Sequence, residues 1–307
     1  MEMRSIGQLQ VSVCGVGCNN FGMRIDFERA QQVVDAAFEA GINHFDTADV
    51  YGNTESEKML GKALGSRRSD VVIASKFGML KPPEGVAPGS AQWVKQACTN
   101  SLERLGTDYI DLYYLHRPDP TTPMAETIGA LAELVKEGKV REIACSAFDA
   151  SLLDEAAATA GSLGVNGYAA VQNENNLITR EKPETFAAAA RHGVAYVPYF
   201  PLAMGLLTGK YRKGEAPPEG TRIGSMPDKN RNALLSDERL LIVERLEKYA
   251  AAHGHSMIEL AMSWSAAQPV ASVIAGATSA DQVRSNAAAI QAWALTADQL
   301  AEIDHLV

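Results

Sequence analysis

Short β-branched or apolar runs alternate with helix-length segments almost from end to end, the pattern of a parallel sheet with crossover helices. Eight runs predict strands, at residues 11–16, 42–46, 71–76, 110–116, 140–146, 168–172, 194–199 and 271–275. Between the first two, Asp26 stands as an N-cap, and Ala30, Val33, Val34, Ala37 and Phe38 recur at helical spacing. Gly41 then occupies the position of a C-terminal glycine. Similar helices fit 55–64, 90–105, 123–137, 151–163, 182–192, 237–253 and 281–292. Eight strands with eight helices predict an α/β protein, a single-domain (β/α)8 TIM barrel spanning 1–307, with an open doubly wound sheet as the alternative. The segment 203–237, rich in Gly, Pro and charge, interrupts the rhythm after the seventh strand and reads as a lid over a cofactor or substrate. A last segment, 296–306, predicts a capping helix with Thr296 as its N-cap.

Composition narrows the class. With 46% hydrophobic and 21% charged residues in 307, the chain can bury a large core. A net charge of -9 and the lack of a basic stripe argue against nucleic acid and anionic membranes as partners. Cys14, Cys18, Cys98 and Cys145 contain no CxxC pair and read as reduced thiols, which favours the cytoplasm. No signal-peptide pattern and no apolar run near the ~20 residues of a membrane span is visible.

The polar residues at strand ends carry the chemistry. Side chains alternate along a strand, and barrel active sites occupy the C-terminal strand ends. Asp46 shares a phase with Ile42 and His44, Lys76 with Val72 and Ala74, and His116 with Leu112 and Tyr114. If those phases face inward, the three converge at one rim, with Tyr51 on the loop above. A phenol is a weak acid at neutral pH; an adjacent ammonium lowers its pKa, and Lys76 is that ammonium, kept charged and oriented by Asp46. His116 would then hydrogen-bond a carbonyl oxygen that Tyr51 protonates. Two other readings stay open: each residue serves a local ion pair or loop anchor, or Lys76 forms a Schiff base as in barrel aldolases.

These residues lie in Asn43-His44-Phe45-Asp46-Thr47-Ala48-Asp49-Val50-Tyr51-Gly52, in Ala74-Ser75-Lys76-Phe77-Gly78 and in Tyr114-Leu115-His116-Arg117-Pro118-Asp119. With Pro201-Leu202-Ala203-Met204-Gly205 running on to Lys210, the chain resembles the aldo-keto reductases over nearly its whole length, in their bacterial-type subgroup with a long loop. The resemblance implies a barrel that reduces an aldehyde or ketone with a nicotinamide cofactor, Tyr51 donating the proton, Lys76 and Asp46 tuning it, and His116 positioning the carbonyl. It implies NADP(H) as cofactor, leaves NAD(H) open, and implies a small-molecule carbonyl or alcohol as partner.

Cofactor positions carry over through the resemblance onto Ser146 and Gln172 at the nicotinamide carboxamide, and onto Tyr199 stacked on the ring. Leu202, Gly205 and Lys210 fall along the pyrophosphate, and Gly276, Thr278, Gln282 and Asn286 at the adenosine end. Ala147 stands where the family has Asn, and Asn175-Asn176 replaces a Tyr-Ser pair. Basic residues typical of NADP-preferring members are missing at Gly276, Thr278 and Ser279; only Arg284 is near in sequence. Phe21, Val50 and Phe77 are candidates for the substrate rim, with Trp93 and Phe148 as further ones. A non-catalytic relative, using bound cofactor as a redox sensor or as a partner-docking subunit, is the alternative function. Gly15-Val16-Gly17 lacks the third glycine of a dinucleotide fingerprint, and Gly205 to Lys210 is one residue short of a P-loop. His253-Gly254-His255 lies outside any metal-ligand spacing.

Overall fold

The computed structural model describes residues Met1–Val307. Eight parallel strands close into one barrel in chain order: β3 (Cys14–Gly17), β4 (His44–Asp46), β5 (Val72–Phe77), β6 (Ile110–Leu115), β7 (Val140–Ser146), β8 (Ala170–Glu174), β9 (Ala195–Tyr199) and β10 (Val273–Gly276). Closure runs through β10, which pairs Val273 with Cys14 and Gly276 with Gly17 on one side, and Ile274 with Tyr199 on the other. The fold is a (β/α)8 barrel; the open sheet is excluded by that pairing.

Several helices begin where a small polar side chain takes up one of their first free N–H groups. Asp26 accepts from the Arg29 amide before α1 (Phe27–Glu39), Ser90 from Trp93 before α3 (Ala91–Leu105), and Asp149 from Leu152 before α5 (Ala150–Leu163). The other crossovers are α2 (Glu55–Leu64), α4 (Met124–Lys136), α6 (Pro183–Arg191) and α10 (Ala280–Ala289). α11 (Ala297–Asp304) closes the chain with a capping box between Thr296 and Gln299. No helix is long and apolar enough to cross a membrane.

Alternation along the strands sorts two cores. Phe45, Ile73, Phe77, Tyr113, Leu115 and Ile143 point outward onto Val33, Val34, Leu60, Val94 and Leu131 of the helices. Val72, Ala74, Leu112, Tyr114, Ala144, Ala170, Val197 and Ile274 point inward and meet Ile6, Leu9 and Val11. Those last three belong to an N-terminal hairpin, β1 (Met3–Ile6) and β2 (Leu9–Ser12), that plugs the end of the barrel opposite the strand C-termini. At its turn Gly7 has φ +53°, and a Cβ there would fall 2.4 Å from the Glu142 carboxylate.

Two features differ from the sequence expectation. The single strand expected at 11–16 is two, broken at Val13, because Ser12 donates to the Cys14 carbonyl and its own amide donates to Asn43. The seventh crossover is longer than one helix: beyond 203–208 it runs through α7 (Asp228–Leu234) and α8 (Asp237–Ala252) to α9 (Met257–Ala267). α9 buries Met257, Leu260, Ala261, Met262, Ser263, Trp264 and Ser265, so it shows no polar face to mark it as a helix.

Candidate active site

The β4–β6 register sets Asp46 opposite Ala74, and Lys76 opposite Tyr114. Lys76 is fully buried; its Nζ donates to Asp46 Oδ1 at 2.6 Å, to the Thr47 carbonyl at 2.9 Å and to Tyr51 Oη at 3.3 Å. The second Asp46 oxygen accepts from Gln172 Nε2 at 2.8 Å. Three strands and one loop therefore converge on a single ammonium. His116 follows β6 with its amide on the Phe77 carbonyl, and its ring meets the Tyr51 ring edge-on, centroids 5.7 Å apart.

The loop bearing Tyr51 is fixed from both sides. The Asp49 amide donates to the Lys76 carbonyl, Ser56 Oγ donates to the Cys18 carbonyl, and Thr47 Oγ1 lies 2.8 Å from Ser56 Oγ. Gly52 packs so close that a Cβ would sit 2.3 Å from the Phe21 carbonyl oxygen. Asn53, Thr54, Ala147, Phe200, Ala203 and Met204 are the non-glycine residues with positive φ. Each follows the C-terminal end of a barrel strand, so backbone strain concentrates at this one rim.

Burial governs the protonation states. It pushes the Tyr51 phenol above its ordinary value, and the nearby Lys76 ammonium only partly offsets this. The expectation of a lowered phenol pKa is thus corrected: in the free protein desolvation of the phenolate outweighs the ammonium, and Tyr51 stays protonated. For Lys76 burial works against the charge, but Asp46 and then Tyr51 outweigh it and hold the ammonium above the ordinary lysine range. His116 is pushed down to about 2 by burial, then by Lys76 and Arg117, so it is a neutral imidazole.

Above this cluster lies a cavity of about 720 Å³. Asp46, Tyr51, His116, Ser146, Gln172 and Tyr199 line it, together with Leu202, Gly205 and Lys210 after β9 and Gly276, Thr278, Gln282 and Asn286 around the start of α10. Its lining runs from the strand ends to the start of α10. Asn19 Oδ1, Asn20 Oδ1 and His116 Nδ1 are buried lining atoms without partners, ready for a polar ligand. Gly276 lies beside Asn19 and Asn20, where a Cβ would make ordinary contact at 3.4 and 3.5 Å. These residues fit a dinucleotide. A sequence profile of the aldo/keto reductase family matches residues 14–307.

The chain belongs to the aldo-keto reductase family. Family chemistry is carbonyl oxidoreduction on small molecules, generally with nicotinamide cofactors. The chain is 36% identical over 303 residues to a probable voltage-gated potassium channel subunit beta of Oryza sativa, covering 94% of this chain and 91% of that one. It is 31% identical over 323 residues to L-glyceraldehyde 3-phosphate reductase of Escherichia coli, covering 97% and 92%. Aldo-keto reductase str7 of Strobilurus tenacellus is 40% identical over 227 residues, covering 69% and 64%.

In this aldo-keto reductase the residues expected at the substrate rim lie elsewhere. Phe77 comes one residue after Lys76, so it takes the outward phase and stacks on Tyr113 with centroids 5.0 Å apart. Phe21 is fully buried in the same helix-facing core, as are Trp93 and Phe148, and half-buried Val50 does not line the cavity. Met79, Arg117, Phe200 and Arg222 line it instead, with Asn19, Asn20 and Arg24. They sit on loops without periodicity; the Asn19-Asn20 pair directly after β3 was the signal available. His253 and His255 stack against Trp293, at 5.3 and 4.3 Å between centroids, and no group of His, Cys, Asp and Glu in the chain is arranged to hold a metal.

Proposed function

We propose that the chain reduces an aldehyde or ketone to an alcohol, and runs the reverse, with NADP(H) as cofactor and Tyr51 as proton donor. The observation that carries this reading is the Lys76 ammonium held between Asp46 and Tyr51 Oη, 2.6 and 3.3 Å away. When bound, the reduced nicotinamide supplies the hydride that adds to the carbonyl carbon. Tyr51, protonated in the resting site, gives its Oη proton to the carbonyl oxygen as negative charge develops there. Lys76 stabilises the phenolate left behind, and Asp46 keeps Lys76 charged. His116, neutral, donates a second hydrogen bond to the same oxygen and adds no charge to a buried site.

Ser146, Gln172 and Tyr199 would hold the nicotinamide, Leu202 and Gly205 the middle of the cofactor, and Gly276, Thr278, Gln282 and Asn286 the adenosine end. Lys210 and Arg24 both face the cavity, and burial, then the Arg24 charge, holds Lys210 below its ordinary value. Two like charges left together without carboxylate partners support a phosphate-rich ligand. The segment 203–237 would act as a lid over it. The Asp46–Lys76 pair speaks against a Schiff base, which needs an uncharged lysine.

Tyr51→Phe is expected to abolish carbonyl reduction while NADPH affinity stays within a few-fold, measured by tryptophan fluorescence titration and by NADPH consumption. Retained turnover would remove Tyr51 from the role. The Oryza relative is named a channel subunit, so a cofactor-sensing, partner-docking role is the second reading. Tight NADPH binding with no turnover across a broad carbonyl panel would favour it.

A further inference from the structure

Across the molecule Arg4, Arg67, Arg68, Arg104, Arg141 and Arg180 each pair with a carboxylate. The arginines that line the cavity, Arg24, Arg117 and Arg222, form no ion pair, and outside it only Arg29, Arg239 and Arg245 share that state. Of the cavity's acids, Asp46 is neutralised by Lys76, leaving Glu219 as the only other. In a chain of net charge -9, the lining of this one cavity therefore carries an unbalanced positive field.

Arg117 stands at the reacting end. It follows His116, whose amide is tied to the Phe77 carbonyl, so its backbone is set by the barrel itself. Its charge is felt by His116 and by Tyr199, which line the same cavity. Arg222 reaches toward the same end from the long loop, its guanidinium 4.9 Å from the Phe200 ring centroid and within electrostatic reach of Tyr51. Arg24 and Lys210 lie together with the residues after β9, where a cofactor would pass. Arg117 is thus an exposed guanidinium in the lining that also holds Tyr51 and His116, and it forms no ion pair within the chain. Guanidinium groups bind carboxylate and phosphate oxygens in bidentate geometry.

We propose that the site selects carbonyl compounds bearing an anionic group, carboxylate or phosphate, a few bonds from the carbonyl, and that Arg117 is the specificity-determining residue. The inference rests on the Tyr51 reduction reading and adds the substrate class to it. Met79 and Phe200 give the rest of that end an apolar lining suited to a short carbon chain.

The test compares charged substrates with neutral partners of matched shape: 4-carboxybenzaldehyde against 4-formylbenzamide, and glyceraldehyde 3-phosphate against glyceraldehyde. Each is measured as kcat/KM with the full chain and NADPH, for wild type, Arg117→Ala and Arg117→Lys. Wild type is expected to favour at least one charged partner by about tenfold to a hundredfold, the range of a charge-assisted hydrogen bond, chiefly through KM. Arg117→Ala should bring that ratio near unity by lowering kcat/KM for the charged partner more than for its neutral match, and Arg117→Lys should restore part of it. A preference confined to the phosphate pair or to the carboxylate pair fixes the anion and supports the proposal. Equal turnover of charged and neutral partners, or a preference surviving Arg117→Ala, overturns it while leaving the reductase reading intact. No turnover of any of the four overturns both. Binding of 4-(hydroxymethyl)benzoate against 4-(hydroxymethyl)benzamide, followed by saturation-transfer NMR on the cofactor-loaded protein, gives the same comparison without chemistry.

Discussion

Ala147 adopts φ +59° at the end of β7, a left-handed conformation that its methyl group disfavours. Asn is several-fold more common there than other non-glycine residues, and the aldo-keto reductase pattern has Asn at this position. The alanine therefore leaves both a strained backbone and a missing polar group on the cavity wall. Ala147→Asn should raise stability by about 0.5–1 kcal/mol and tighten NADPH binding by about threefold to tenfold, the latter reflecting one recovered hydrogen bond. Thermal unfolding and fluorescence titration check the two effects separately. Unchanged affinity with raised stability would place position 147 outside cofactor contact.

At the scale of elements, the loop after β3 and the long loop after β9 meet where Arg24 Nη2 donates to the Gly220 carbonyl at 3.1 Å. This bond joins the two segments that flank the cavity. Arg24→Ala should raise the Kd of NADPH and NADH alike by about tenfold, because the phosphates common to both lose a cation and the long loop loses an anchor. An effect on NADPH alone would assign Arg24 to the 2'-phosphate; an unchanged Kd for both would remove it from the cofactor site. How legible each element was in the sequence follows from its exposure. Helices with one wet face, such as α1 and α2, show their period, and the inward phase of Asp46, Lys76 and His116 follows from strict strand alternation. That same alternation assigns Phe77 outward, so its place in the helix-facing core was also readable. α9 was not, since burial on nearly all sides erases the period, although its Ser256–Glu259 capping box was visible in the sequence. The end of β2 merged with β3 in the run 11–16 because only a break at Val13 separates them, and β1 lay outside every expected strand. Arg117 and Arg222 had no periodic signal at all, since loops position side chains through tertiary contacts.

For the whole molecule, the barrel buries groups whose ionisation pulls stability in opposite directions with pH. His44, fully buried with Nδ1 2.9 Å from Ser272 Oγ, is pushed down to about 4 by desolvation first, with Lys76 adding to it and Asp46 opposing it. Between pH 4 and 6.5 the unfolded chain binds a proton that folded His44 refuses, so this group makes stability fall as pH drops through that window. Asp49, 1% exposed, is pushed up to about 7 by burial and then by the Glu57 carboxylate. Its folded pKa lies above the unfolded one, so its contribution is fully present below about pH 4 and is lost as pH rises through 7. The two therefore oppose each other between pH 4 and 6.5, flattening the stability profile there, and above pH 7 only the Asp49 penalty persists. Asp49→Asn, which imitates the protonated carboxyl, should match wild-type stability near pH 4. It should exceed wild type by a margin that grows through pH 5 to 7 and levels above pH 8, at about 2–4 kcal/mol. Denaturant unfolding at a series of pH values reads the difference directly. A constant offset across pH would show that Asp49 ionises normally and that its burial is relieved by a partner other than a proton.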